Sequence, residues 1–429
     1  MKLDTKQIPN WPKLAWVAKV FPGTPLVQVY HGPCVERENE FCVEAVWAGR
    51  FSEGDFDRTD LVFGSGIRCR GQQIVFVSSG ATTDRLWYCW NDTCGYVANS
   101  LPALLAVADL SLREDYHYFP DLRTICNGLD RYQRTLPTTG KELQVLYFRN
   151  LVYDGKSFRE VDKPDVSPRF ETYSDYYQFL KKTAVEVAEN SNSPCRKHKI
   201  TSLTGISTGY DACATAVIAR FAGCRQAVTI RQSNSYWRGS DSGKAVAERL
   251  HLTCLEYNRT ARHYPWEEAV WAVSGRAAIL NWTQFDYPEP LCLFFSGCRG
   301  DMVWERSGEE VSNPFVVPSI SDLGLCEFRL LRGIFHCAVP FWGIRHVKEI
   351  RTLSSLPEMK PWILGTDYDR PVPRRIIEEA GIPRGVFARR KKLTSSDEYF
   401  LWPYSPQARQ HYKRFLEQKG IYVPSSWLA

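Results

Sequence analysis

Apolar and β-branched residues fall in short runs over roughly the first 150 positions, at 26–30, 42–47, 73–77 and 86–90, with Gly, Asp, Asn and Ser between them. Runs of this length bounded by turn-forming residues predict strands. A helix is expected at 101–107 and a further strand at 143–148. Periodicity then stops over 162–168, where Lys163-Pro164 and Ser167-Pro168 read as a linker.

Past the linker the period changes. Tyr177, Leu180, Ala184 and Val187 recur at helical spacing, predicting a helix to about Glu189 capped by Ser174 or Asp175. Strands are then expected at 199–206, 226–230, 252–257, 277–282 and 291–295, with helices at 211–222, 242–250 and 266–273. Alternation of this kind predicts a parallel α/β sheet with helices on both faces. A last helix has Ser405 as cap, Pro406 at its first position and Gly420 past its end. The organisation expected is an α+β domain over 1–160 and a doubly wound α/β domain over 161–429, with no internal repeat.

Composition narrows the class. A length of 429 residues suits two domains, and 44% apolar with 24% charged residues excludes a disordered, collagen-like or coiled-coil chain. The net charge of +6 suits a site that handles polyphosphate and is too small to argue for nucleic acid. Met1-Lys2-Leu3-Asp4-Thr5-Lys6 leads into no apolar run, so no secretory signal is expected. No run of about 18 apolar residues predicts a membrane span. A cytoplasmic protein with reduced thiols follows as the expectation. Fourteen cysteines contain no C-x-x-C, and eight histidines form no H-E-x-x-H. The pairs Cys34/Cys42 and Cys89/Cys94 lack zinc spacing, so most thiols are expected in the core.

The sharpest candidate chemistry is Leu203-Thr204-Gly205-Ile206-Ser207-Thr208-Gly209-Tyr210-Asp211-Ala212, between a predicted strand and a predicted helix. A turn of small residues there exposes backbone N–H groups, and the helix adds the positive end of its dipole, which together suit a phosphate. Gly209 permits close approach, Ser207 and Thr208 offer hydroxyls, and Asp211 is placed to cap the helix or to hold Mg²⁺.

Ser207-Thr208-Gly209-Tyr210-Asp211-Ala212 resembles the S-G-G-x-D-S loop of the asparagine-synthetase-like ATP pyrophosphatases, with Thr208 for a Gly and Ala212 for the last Ser. Asp241 and the stretch 245–250 are similar to that family's nucleotide-side helix. Ser296-Gly297-Cys298-Arg299-Gly300-Asp301 resembles its second turn, with Met302 where Glu is usual. His336-Cys337-Ala338-Val339-Pro340-Phe341 resembles E-x-R-x-P-F in Pro340 and Phe341 alone, leaving Glu327 as a substitute acid. Ile382-Pro383-Arg384 and Arg389-Arg390-Lys391-Lys392 resemble the late basic segment, in which Lys391 or Lys392 would stabilise charge in acyl transfer.

More weakly, 84–88, 97–101 and Leu104-Leu105 are similar to the glutaminase half of those enzymes, a β-sandwich between helices of the Ntn-hydrolase type. Lys2 follows Met1 where that half carries its nucleophilic cysteine, so a degenerate glutaminase-like scaffold is implied. The resemblance implies ATP and Mg²⁺ as cofactors. The nucleotide would lie on Ser207, Thr208, Gly209, Tyr210, Asp211, Ser296, Gly297 and Asp301, with the metal on Asp211 and Asp301. The reaction implied is AMP-forming activation of a carboxylate or carbonyl oxygen, followed by attack of ammonia or an amine. Sulfur transfer is the alternative, with Cys298, beside Arg299, as the activated thiol and Cys213 directly after the first loop. A third reading is a non-catalytic nucleotide- or partner-binding protein. The partners implied are a small-molecule acid or carbonyl substrate and an ammonia, amine or sulfur donor, with no nucleic acid and no membrane; a homodimer is left open. Tyr210, Tyr236 and Trp237 are candidates to stack on adenine, and 362–375, rich in arginine, is a candidate substrate-side surface.

Overall fold

The computed structural model describes residues 1–388 apart from 114–115, 117, 233–239, 259–281, 283, 307–312, 314 and 317–325. The expected elements at 266–273, most of 277–282, and the last helix lie outside the described residues, as do Tyr236, Trp237, Lys391 and Lys392.

The first part of the chain folds into thirteen strands: β1 (Lys2–Gln7), β2 (Trp16–Val20), β3 (Leu26–His31), β4 (Glu36–Arg37), β5 (Phe41–Trp47), β6 (Val62–Arg70), β7 (Gln73–Val77), β8 (Leu86–Trp90), β9 (Gly95–Ala98), β10 (Thr135–Leu136), β11 (Leu143–Leu146), β12 (Asn150–Tyr153) and β13 (Phe158–Val161). They form a seven-stranded sheet in the order β1-β3-β2-β9-β8-β11-β10 and a six-stranded sheet in the order β13-β12-β7-β6-β5-β4. Neighbours pair antiparallel except β1 with β3. Alternation explains the packing. Trp16, Ala18, Val29 and Val97 of the first sheet meet Ile67, Phe76 and Leu151 of the second in one apolar layer. On β5, Phe41, Val43, Ala45 and Trp47 turn the other way and pack on Phe51 and Phe56. Helices α1 (Leu101–Ala108) and α2 (Tyr118–Arg123) follow, and α1 is capped by Ser100, whose Oγ accepts from Ala103 N.

Residues 162–172 carry no regular structure. Helix α3 (Tyr173–Ser191) is capped by Thr172 rather than by Ser174 or Asp175. Thr172 Oγ1 accepts from Asp175 N while the Asp175 carboxylate accepts from Thr172 N, a reciprocal box that satisfies two end donors. A parallel sheet follows, built from β14 (Ile200–Gly205), β15 (Gln226–Ile230), β16 (Thr253–Tyr257), β17 (Leu291–Ser296) and β18 (Ile334–Ala338). Its order, β16-β15-β14-β17-β18, grows outward in both directions from β14 and β17. Helices α4 (Tyr210–Phe221), α5 (Lys244–Arg249), α6 (Gly300–Val303), α7 (Cys326–Arg332), α8 (Val347–Leu353) and α9 (Pro371–Glu379) accompany it. One face of the sheet is covered by Ala214, Val217 and Ile218 of α4, the other by Phe285, Tyr287 and Phe328. The protein is therefore mixed α/β, with one all-parallel sheet and two largely antiparallel ones.

The segment expected to be a linker joins two parts that share a core. Leu14, Trp87 and Leu104 belong to the same buried cluster as Phe170, Tyr210 and Trp342. Leu14 N donates to Leu330 O at 3.0 Å, and Phe63 lies against Trp342 with ring centroids 6.2 Å apart. Arg196, buried beneath α3, pairs with Glu36 of β4. Ten of the fourteen cysteines are buried. No helix among the described residues is long and apolar enough to cross a membrane.

Candidate functional site

Strands β14 and β17 are neighbours, and the chain leaves them toward opposite edges of the sheet. The turns after their C-terminal ends, 206–209 and 297–299, must therefore separate, and open α/β sheets bind ligands in the crevice so formed. Here the crevice floor is two glycines set against the start of α4. A Cβ at Gly297 would lie 2.7 Å from the Asp211 carbonyl carbon, and one at Gly300 would lie 2.6 Å from Asp211 Cγ. Only glycine lets the second turn approach the start of α4 this closely. A third glycine, Gly243, plays the same part behind the first turn, where a Cβ would sit 2.8 Å from Ser207 N.

The first turn is held on every side. Thr208 N donates to Asp241 O at 3.2 Å, and Thr208 Oγ1 donates to the Asp241 carboxylate. Gly209 N donates to Ser207 Oγ at 3.0 Å, and Ala388 N donates to Thr208 O at 2.7 Å. Both hydroxyls proposed from sequence as phosphate donors thus already serve the loop's own shape. Gly209, not Asp211, is the N-cap of α4. The amides of a first helical turn have no acceptor within the helix, so the loop retains anion-directed donors.

Asp211 is engaged. Arg370 Nη1 donates to both of its carboxylate oxygens at 2.8 Å, and Arg370 Nη2 donates to Asp301 O at 3.4 Å. Asp301 itself is exposed at the start of α6. Among the described residues, no three His, Cys, Asp or Glu side chains converge as a metal site. The expected Mg²⁺ ligation by Asp211 therefore does not fit: its oxygens are committed to a guanidinium that sequence reading placed on a substrate surface.

The arginines of 362–375 are likewise paired with side chains of the protein itself. Arg374 is fully buried, donating to Asp369 Oδ1 at 2.7 Å and to the Tyr210 hydroxyl. Arg375 donates to Glu379 and Glu358. Tyr210 is itself buried, packed against Tyr368 and Phe387, and so is core rather than an adenine platform.

Ser296 closes β17, and its Oγ lies 2.7 Å from Nε2 of His336 in the middle of the adjacent β18, with both side chains buried. Cys298 N donates to the same Oγ at 3.4 Å. Cys298 is partly exposed, whereas Cys213 is buried and donates to Ser207 O at 3.0 Å. Burial, with Asp241 and Asp211 nearby, pushes the Cys213 thiol well above its ordinary range, which disfavours its thiolate.

Glu327 is the clear correction. It sits at the start of α7, and its carboxylate accepts from Ser100 Oγ at 2.9 Å and from Leu101 N at 2.8 Å. It thus caps α1 of the antiparallel part and is not an acid of the crevice. Sequence reading placed Arg370 on a substrate surface without its partner Asp211, and it missed Gly243 and the Ser296–His336 pair. Only Gly243 carried a local hint, as a glycine just ahead of a predicted helix; the others depend on partners up to 159 positions away. No family model matches the chain, and no curated protein matches it significantly in sequence.

Proposed function

We propose that the chain is an AMP-forming, ATP-dependent ligase of the asparagine-synthetase-like type. The observation that carries the reading is the close fit of Gly297 and Gly300 against Asp211 at the point where the strand order of the parallel sheet reverses. A crevice with backbone donors from one turn and a helix N-terminus from the other suits a pyrophosphate leaving group. In this reading a carboxylate oxygen of the substrate attacks the α-phosphorus of ATP and pyrophosphate departs. An amine or ammonia then attacks the acyl adenylate and AMP departs. In this reading the 206–209 turn and Arg370 orient the polyphosphate, and the buried Ser296–His336 pair is assigned the proton released by the attacking amine. The antiparallel part serves as an Ntn-like scaffold without glutaminase activity, supporting the ligase part through α7.

One observation favours the sulfur-transfer reading: Cys298 is partly exposed beside the second turn. The two readings separate on one variant. Cys298→Ala retains turnover in an amide-forming ligase and abolishes it in a sulfur carrier.

The experiment is calorimetric titration with ATP, paired with a pyrophosphate-release assay across small acids with ammonia or amines. Saturable ATP binding and acid-dependent pyrophosphate release are expected. No ATP binding at millimolar concentration overturns both catalytic readings.

A further inference from the structure

The Arg370–Asp211 pair carries an inference that rests on the reading of the crevice as a polyphosphate site. We infer that Arg370 is the resident positive charge of this loop, so that the site takes a pyrophosphate group without a divalent cation. The guanidinium belongs to the N-cap residue of α9, is buried, and bridges the starts of α4 and α6, which follow the two turns. Nη1 holds the two Asp211 oxygens, while Nη2 reaches Asp301 O and lies 3.6 Å from Glu305. The Tyr368 ring lies under it, with the guanidinium carbon 5.5 Å from the ring centroid, which fixes the plane of the fork.

Asp211 is closely backed by the Gly297 and Gly300 backbone, where an added Cβ would lie 2.7 Å from its carbonyl carbon and 2.6 Å from its Cγ. A cation seated on this carboxylate would face a buried guanidinium 2.8 Å from the same oxygens. Arginine stays protonated at any relevant pH and binds phosphate oxygens through its fork, so it supplies the charge that a metal would otherwise bring. The acidic groups facing it are Asp211, Asp301 and Glu305, while the nearby Arg306 is paired with Asp369 at 3.1 Å. Arg370 thus acts as a positioning residue. It keeps Asp211 from recruiting a metal.

The test titrates the full chain with inorganic pyrophosphate in EDTA and again in excess Mg²⁺. Binding of equal strength in both, within about twofold, is expected. Arg370→Gln should weaken binding in EDTA at least tenfold, as loss of a charge-assisted contact does. Mg²⁺ should then restore it through the released Asp211. Adding Asp211→Asn to that variant should remove the rescue. Arg370→Lys keeps the charge and fold and should retain cation-independent binding at reduced strength. If the unaltered chain binds pyrophosphate only with Mg²⁺, the inference fails while the ligase reading stands. If neither pyrophosphate nor ATP binds under either condition, both fail.

Discussion

Arg329 of α7 donates from Nη1 to Glu44 Oε2 at 2.8 Å and from Nε to Asp84 Oδ1 at 2.5 Å, with all three side chains buried. Glu44 lies where the interior of the two antiparallel sheets turns polar. Its Oε1 accepts from Ser65 Oγ at 2.5 Å and from Asn99 Nδ2 at 3.0 Å, and Asn99 Oδ1 in turn accepts from Trp16 N at 2.8 Å. An arginine from the parallel part therefore plugs the end of the antiparallel sandwich. Removing it leaves two buried carboxylates without their cation, which costs about 3–5 kcal/mol.

Arg329→Met should accordingly lower the stability of the whole chain by that amount. The shared core predicts one cooperative unfolding transition and not two. Urea unfolding followed by both tryptophan fluorescence and far-ultraviolet dichroism checks this, with coincident curves expected. Two separated transitions would show that the parts unfold independently.

Glu327 predicts a pH dependence. Burial raises its carboxyl from an ordinary 4.5 to about 7, against the opposing pull of the Leu101 amide and Ser100 hydroxyl. The folded state thus favours the protonated form. The group's contribution is complete below about pH 4.5 and is lost as the pH rises through about 7, a change on the order of 3 kcal/mol. Glu327→Gln has no carboxylate to ionise yet can still accept from Leu101 N. The pH slope of unfolding stability between pH 5 and 8 should be shallower in this variant than in the unaltered chain. An identical slope would place the titration elsewhere.

Gly297→Ala tests the fit of the two turns. The added methyl meets backbone atoms of Asp211 and Ala212 at 2.7–2.9 Å, and backbone cannot swing aside as a side-chain end can. Overpacking of this kind costs roughly 1–3 kcal/mol. The displaced partner is the start of α4, so nucleotide affinity should fall at least tenfold, read by calorimetry with ATP. An alanine variant that binds ATP normally would separate the second turn from the site.

Ser296 and His336 form a buried hydrogen bond, and removal of one partner strands the other at a cost of about 1–3 kcal/mol. Both Ser296→Ala and His336→Phe should lower the melting temperature. If the pair also takes a proton from the attacking amine, His336→Phe should reduce kcat with little change in the KM for ATP. A purely structural pair would leave kcat intact under conditions where the variant is folded.

Much of the local structure was legible without coordinates. The strands at 200–205, 226–230 and 291–296, and the helices starting at Tyr173 and Tyr210, follow from runs and spacings of nearby residues. Period and turn chemistry act within a few positions, so a reader of the chain can see them. The turn at 206–209 was legible for the same reason, since a cluster of small residues between a strand and a helix is a local pattern.

Which charges meet across the chain was decided only by the tertiary structure. Asp211 looked like a metal ligand because nothing beside it in sequence shows Arg370 arriving from 159 positions away. Glu327 looked like a crevice acid because its partners, Ser100 and Leu101, lie in the other part of the molecule. Arg374 looked like a surface for acidic substrates and is instead buried against Tyr210. Hydrophobic periodicity sets which face of an element turns inward. The pairing of a buried charge is set by whatever another element brings to it, and that depends on how the sheets and helices pack.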